Sequence, residues 1–147
     1  MTKPQLLQAM IERAITAGVP FGWVTADEAY GDNGPLRAFL EQQHVAYVLA
    51  VSRDHVIATA AGRFRADVPA AALPRKAWQR LSCGNGAKGH RRYDWALVAT
   101  ADPAISLLIR RSITKPCELA FYRCHAPAPV PLARLVQVAG TRWAVVM

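Results

Sequence analysis

Long apolar runs are missing from this chain. No stretch of about 18 uninterrupted apolar residues occurs, so no segment has the make-up of a membrane-spanning helix. The opening residues, MTKPQLLQAMIERA, set Glu12 and Arg13 inside their apolar pattern, unlike a secretory signal peptide. The expectation is a soluble, cytoplasmic protein with no membrane partner. Cysteine is scarce and odd in number: Cys83, Cys117 and Cys124 make no close pairs, which argues against a disulfide framework. Their spacing does not suit structural zinc either, because Cys117 and Cys124 stand seven positions apart with no second pair of matching spacing. Acidic residues are also few, 10 against 18 lysines and arginines in 147 residues, for a net charge of +8.

What is present is enough apolar material, 52%, to build the core of one ordinary domain. The charge is unevenly spread. Residues 1–51 hold three basic side chains against five acidic ones, a balance of −2, and residues 52–147 hold fifteen against five, a balance of +10. Between Asp67 and Asp94 there is no acidic residue, while Arg75, Lys76, Arg80, Lys88, Arg91 and Arg92 fall in that interval. Such a run is either a solvated basic face or the footprint of a polyanion, with nucleic acid the first candidate.

Apolar residues at three- and four-residue spacing from Gln5 to Ala17, with Pro4 at the entry and Gly18 beyond the exit, predict an amphipathic helix. Phe21–Ala26 then reads as a strand, the turn-rich DEAYGDNGP as a loop, Pro35–Gln43 as a second helix and AYVLAV (46–51) as a strand buried on both faces. Two strands joined by a helix should run parallel with a right-handed crossover, so their carboxyl ends share one edge. After Ser52 the pattern changes. Tyr93–Thr100, Ser106–Ile113 and Glu118–His125 predict an antiparallel meander, Pro127, Pro129 and Pro131 a stiff crossing, and Leu132 onward a last helix running to Met147.

Asp27 stands where the first strand stops. In an open α/β sheet that is where ligands and metals collect, although an Asp there also serves simply to cap the next turn. GNGAKG (84–89) lacks the spacing of a phosphate loop and reads as a β turn bearing Lys88. Trp78, Trp95 and Trp143, one per element, read as core anchors and His44 as a charge complement at a helix end.

Three motifs in order, VTADEAYG before a helix, YVLAV as the next strand and LARLVQVAGTRWA opening a last helix, enclose the basic segment with GNGAKGHRRYDWA. This arrangement resembles the bacterial insertion-sequence DDE transposases, in the branch whose RNase H-like core carries a long β insertion. The resemblance implies an α/β fold: a partial RNase H-like core over 1–51, a basic β-rich antiparallel insertion over 52–129, and the start of a final core helix over 130–147. It implies catalysis by two Asp and one Glu holding Mg²⁺ at DNA phosphodiesters. Asp27 matches the second Asp, both catalytic and metal-binding. Arg142 matches an arginine that steadies DNA, and Arg75, Lys76, Lys88, Arg91 and Arg92 become the expected DNA contacts.

The departures from that pattern shape the expectation. The first Asp would lie on a strand before Met1, Val146 occupies the Glu position, and Ala139 replaces a tyrosine of the final helix. Glu28 and Asp32 share the Asp27 loop and cannot supply a cage from separate elements. The expectation is therefore a chain truncated at both ends, inactive alone, with DNA as partner and pairing with itself or a parent transposase open. A noncatalytic DNA-binding module is the alternative.

Overall fold

The computed structural model describes residues 2–20, 22–86, 89–141 and 145–146. Helix α1 (Lys3–Thr16) begins with a capping box: the Gln5 N–H donates to the Thr2 hydroxyl at 3.3 Å and the Thr2 N–H to the Gln5 side chain at 2.8 Å. Strand β1 (Trp23–Ala26) follows, then a short α2 (Glu28–Gly31), α3 (Gly34–Gln42) and strand β2 (Ala46–Val51). Asn33 caps α3 through the Leu36 N–H at 2.9 Å, and Pro35 occupies its first turn. The helix exits through His44, held at φ +56°, a conformation that usually falls to glycine.

Beyond β2 the chain forms a hairpin, β3 (Val56–Thr59) and β4 (Gly62–Arg65), then α4 (Asp67–Ala72) and a 3₁₀ turn at Arg75–Ala77. Strands β5 (Gln79–Gly86), β6 (Gly89–Ala99), β7 (Ile105–Arg111) and β8 (Leu119–His125) make the antiparallel meander, and α5 (Leu132–Ala139) and β9 (Val145–Val146) complete the described elements. The sequence pattern identified β6, β7 and β8; β3 was not legible because it is only four residues long, and β4 and β5 because glycine, arginine and polar residues break their alternation.

Among the described residues the main sheet has seven strands in the order β5-β6-β7-β8-β2-β1-β9. β1 and β2 are parallel, as the helical crossover requires, with Val24 beside Tyr47 and Ala26 beside Leu49. The β-rich segment does not fold apart from the core. Strand β8 pairs antiparallel with β2, Val51 opposite Phe121 and Tyr47 opposite His125, so the β-rich segment and the first two strands share one sheet. This is a mixed α/β fold consistent with a partial RNase H-like core carrying an antiparallel β addition.

Side chains alternate between faces along each strand, and the registers assign them. The front face carries Trp23, Val48, Cys124, Leu108, Trp95 and Cys83, covered by Leu135, Val136 and Val138 of α5. The back face carries Tyr47, Leu49, Leu107, Ile109 and Phe121, covered partly by α1 and α3 through Ile11, Leu36 and Leu40, and partly by the β3–β4 hairpin and α4 through Ile57, Ala66 and Ala70. Trp95 is 0% exposed, and its indole N–H donates to the Leu81 carbonyl at 3.2 Å. The reading of Trp95 as a core anchor holds.

The last helix is shorter than the pattern predicts. It stops at Ala139 because Gly140 lies against β5: a Cβ there would come within 2.1 Å of the Cys83 carbonyl oxygen. The β-branched Val145 and Val146 then pair antiparallel with Val24 and Trp23 instead of extending a helix. Lys88, Arg142 and Trp143 lie outside the described residues.

Candidate nucleic-acid site at the carboxyl end of β1 and β2

Asp27 follows β1 directly and is half-buried. Its Oδ1 accepts the Ala29 N–H at 3.0 Å, so it does serve as the N-cap of α2. Capping and a place at the strand's carboxyl edge are compatible, since the cap fixes the carboxylate on that edge. The glycine of the EAYG motif explains how. A Cβ on Gly31 would stand 1.8 Å from the Ala50 carbonyl oxygen, so only glycine lets α2 lie flat on β2. Asp32 then turns away from Asp27: its Oδ1 accepts the Ser52 N–H at 3.2 Å and lies 3.7 Å from His55 Nδ1.

A pocket of about 390 Å³ opens beside Asp27 on the front face, with Thr25 and Ala50 on its floor. Arg91 from β6 and Arg110 from β7 line it with their aromatic neighbours Tyr93 and Tyr122. The Arg91 guanidinium donates through Nη2 to the Gly140 carbonyl at 2.8 Å, while its Nε is buried without a hydrogen-bond partner among the described residues. The Arg110 guanidinium lies 4.5 Å from the Tyr93 ring centre and donates to the Tyr122 hydroxyl at 3.3 Å. Burial pushes the Tyr122 hydroxyl up, with Arg110 opposing, so it stays protonated as a hydrogen-bonding group. The pocket thus sets a carboxylate among guanidinium groups and phenols.

The expected DNA contacts are divided by the sheet. Arg91 faces this front pocket, and Arg92, the next residue on β6, is exposed on the opposite face. Arg75 and Lys76 are exposed in the 3₁₀ turn before Trp78, whose ring holds the Arg111 guanidinium at 4.0 Å and packs with the back-face cluster. Arg80 pairs with Asp94 at 3.0 Å, and Arg111 reaches the same carboxylate at 3.4 Å. The Arg80 hydrogen bond above all holds the Asp94 carboxyl below its usual range. Arg110, Tyr93 and Tyr122 went unnoticed in the sequence. The adjacent Arg110 and Arg111 at the end of an otherwise apolar β7 could have drawn notice to Arg110, but its closeness to Asp27 depends on the β7–β8–β2 pairing.

The sequence profile of the DDE superfamily endonucleases matches residues 1–104, from α1 to the turn before β7. This chain belongs to the DDE superfamily of endonucleases. Among curated proteins there is no match. The family's substrate class is DNA, and its chemistry runs on divalent metal held by converging carboxylates. The described residues of this DDE family member do not fit such a centre. They contain no cluster of three or more His, Cys, Asp or Glu side chains able to hold an ion. Glu28 is exposed beside Asp27, and Asp32 is engaged with Ser52 and His55. Mg²⁺ needs several oxygen ligands in octahedral order, and one capping carboxylate does not provide them. No described helix is long and apolar enough to cross a membrane.

Proposed function

We propose that these 147 residues form the DNA-engaging part of a DDE transposase and bind DNA without cleaving it. The observation that supports this most directly is the pocket at the carboxyl edge of β1 and β2, where Asp27 stands beside Arg91 and Arg110 with no second converging carboxylate among the described residues. Guanidinium groups neutralise phosphate and donate in pairs to its oxygens, whereas cleavage needs metal at the attacking and leaving oxygens. In this reading Asp27 marks the place of a transposase carboxylate, and Arg91 and Arg110 bind the backbone of the strand lying across it. Arg75, Lys76, Lys88, Arg92 and Arg142 add phosphate contacts that set affinity rather than sequence preference. Pairing with a parent transposase, or with a second copy, is the way such a module would act on transposition.

The test is binding and cleavage on one labelled duplex. Binding should weaken steeply between about 50 and 200 mM salt. The double change Arg91→Ala with Arg110→Gln should cost at least about tenfold in affinity, since it removes two phosphate contacts. Strand cleavage with Mg²⁺ or Mn²⁺ should be absent. Metal-dependent cleavage that disappears in Asp27→Ala would overturn the noncatalytic reading, and salt-independent binding would overturn the phosphate reading.

A further inference from the structure

A second basic cleft lies on the back of the sheet, away from Asp27. It is open, about 670 Å³ in volume, and lies between α3, the β3–β4 hairpin and the loop joining β6 to β7. Three arginines from three separate elements line it: Arg37 of α3, Arg63 of β4 and Arg123 of β8. Asp102 is the one carboxylate in the lining, and its Oδ1 already accepts the Ala104 N–H at 2.9 Å.

The Arg37 and Arg123 guanidinium groups donate their hydrogen bonds to neutral partners. Arg37 donates through Nη1 to the Gly31 carbonyl at 2.6 Å, and among the described residues no carboxylate stands within 4.0 Å of its guanidinium. Arg123 donates through Nε to the Tyr47 hydroxyl at 3.1 Å and through Nη1 to His55 Nε2 at 3.4 Å; Glu41 is its nearest carboxylate, at 3.9 Å. His55 is kept neutral by burial and by the two arginines, so it accepts from Arg123. Burial first, and then the charge of Arg123, hold Arg37 below its ordinary value. Arg37 and Arg123 act on one another at the edge of the cleft, with Arg63 in the same lining; Glu41 and Asp32 offset part of this charge from outside the lining.

We propose that this cleft is a phosphate-binding site that takes a backbone phosphodiester of DNA, on the face of the sheet opposite the Asp27 pocket. A phosphate between Arg37, Arg63 and Arg123 relieves the mutual repulsion and offers oxygens to paired guanidinium donors. The occupant is a nucleic-acid backbone because the cleft is wide and open and the surrounding half of the chain carries the positive excess. Since the sheet separates pocket from cleft, the two surfaces engage different stretches of duplex. The inference extends the DNA-binding reading to a second surface and can fail independently of it.

The experiment compares five forms of the full chain on a labelled duplex by fluorescence anisotropy: wild type, Arg63→Glu, Arg37→Gln, Lys115→Glu and the pocket variant Arg91→Ala with Arg110→Gln. Arg63 is exposed, so its replacement should leave the melting temperature unchanged; Arg37→Gln serves as a second cleft variant. Arg63→Glu should weaken binding about fivefold and reduce the salt slope by about 1, while Lys115→Glu, the same charge change elsewhere, should alter affinity less than about twofold. Equal effects of Arg63→Glu and Lys115→Glu would overturn the cleft. Loss of binding in the pocket variant with full retention in both cleft variants would overturn it too and leave the pocket standing. The reverse pattern supports the cleft and overturns the pocket. In a parallel titration, inorganic phosphate that saturates the Arg37 and Arg123 Nε–H resonances, with Arg63→Glu binding DNA normally, would assign the cleft to a free anion and refute the DNA backbone as its occupant.

Discussion

The two faces of the sheet solve the same covering problem with different means. The front is closed by one eight-residue helix, α5, seated on Trp95, Leu108 and Val48, and beyond the end of that helix the Asp27 pocket stays open. The back is covered by α1, α3, α4 and a two-stranded hairpin, yet it includes a network of Asp32, His55, Arg37, Arg123, Tyr47 and Glu41. A single short helix leaves a strand edge accessible to a large ligand. A many-part cover buries polar groups at its seams and must satisfy them, so chemistry accumulates there even without a family motif. The front could be suspected from DEAYG, whereas nothing in the sequence marks the back.

Removing the anchor of the front should have the largest effect. Trp95→Ala should cost about 4 kcal/mol in urea unfolding, and Leu40→Ala on the back about 3. Both variants should still unfold in one transition, because the strands are shared; separate transitions for the two faces would break the comparison. Gly31→Ala comes next, at about 3 kcal/mol, because the new methyl group meets the Ala50 carbonyl and must lift α2 from β2. Retained stability with weakened DNA binding would show that the close approach serves the pocket alone.

Acid should distinguish the faces. His55 is lowered to about 4 by burial, then by Arg37 and Arg123, with Asp32 and Asp54 opposing. Between that value and its ordinary one near 6.5 the unfolded chain holds more protons, so stability is full above about pH 6.5 and falls as pH drops toward 4. The loss should be about 2 kcal/mol and should vanish in His55→Asn, measured by chemical denaturation across that range. An unchanged acid response in His55→Asn would place the sensitivity elsewhere. The smallest effect concerns Asp27. Replacing it with Ala should cost about 1 kcal/mol through the lost cap, and with Asn only a few tenths, since Asn also accepts from the Ala29 N–H. A much larger cost for Asn would show that the charge itself holds the edge together.

Much of the first third was legible because its elements advertise themselves locally: Pro4 and Gly18 bracket α1, and AYVLAV is a strand by its unbroken apolar run. Asp27 was legible as a cap, and that reading rests on its extended backbone at the end of β1. The pocket's arginines were not. Arg91 and Arg92 look equivalent in a string, and only the register of β6 sends one to the front and the other to the back. Arg123 sits inside an apolar strand and gave no hint that it meets residues of α3 and β3–β4 across the sheet. Pairings distant in sequence create both the cleft and the pocket, and periodicity is a local property.

The pairing of β2 with β8 also dictates an order of events. Val45 and His125, 80 residues apart, are joined by a hydrogen bond of 2.7 Å from His125 Nδ1 to the Val45 carbonyl, and the strand edge between them closes only when β8 arrives. On the ribosome, β2 emerges long before its partner and waits with one flank bare. Closing so long a loop slows folding and extends the time in which a bare edge can recruit another chain. Nascent copies are therefore at greatest risk of joining one another before residues 119–125 have been made, and slower synthesis up to that point would lengthen the exposure.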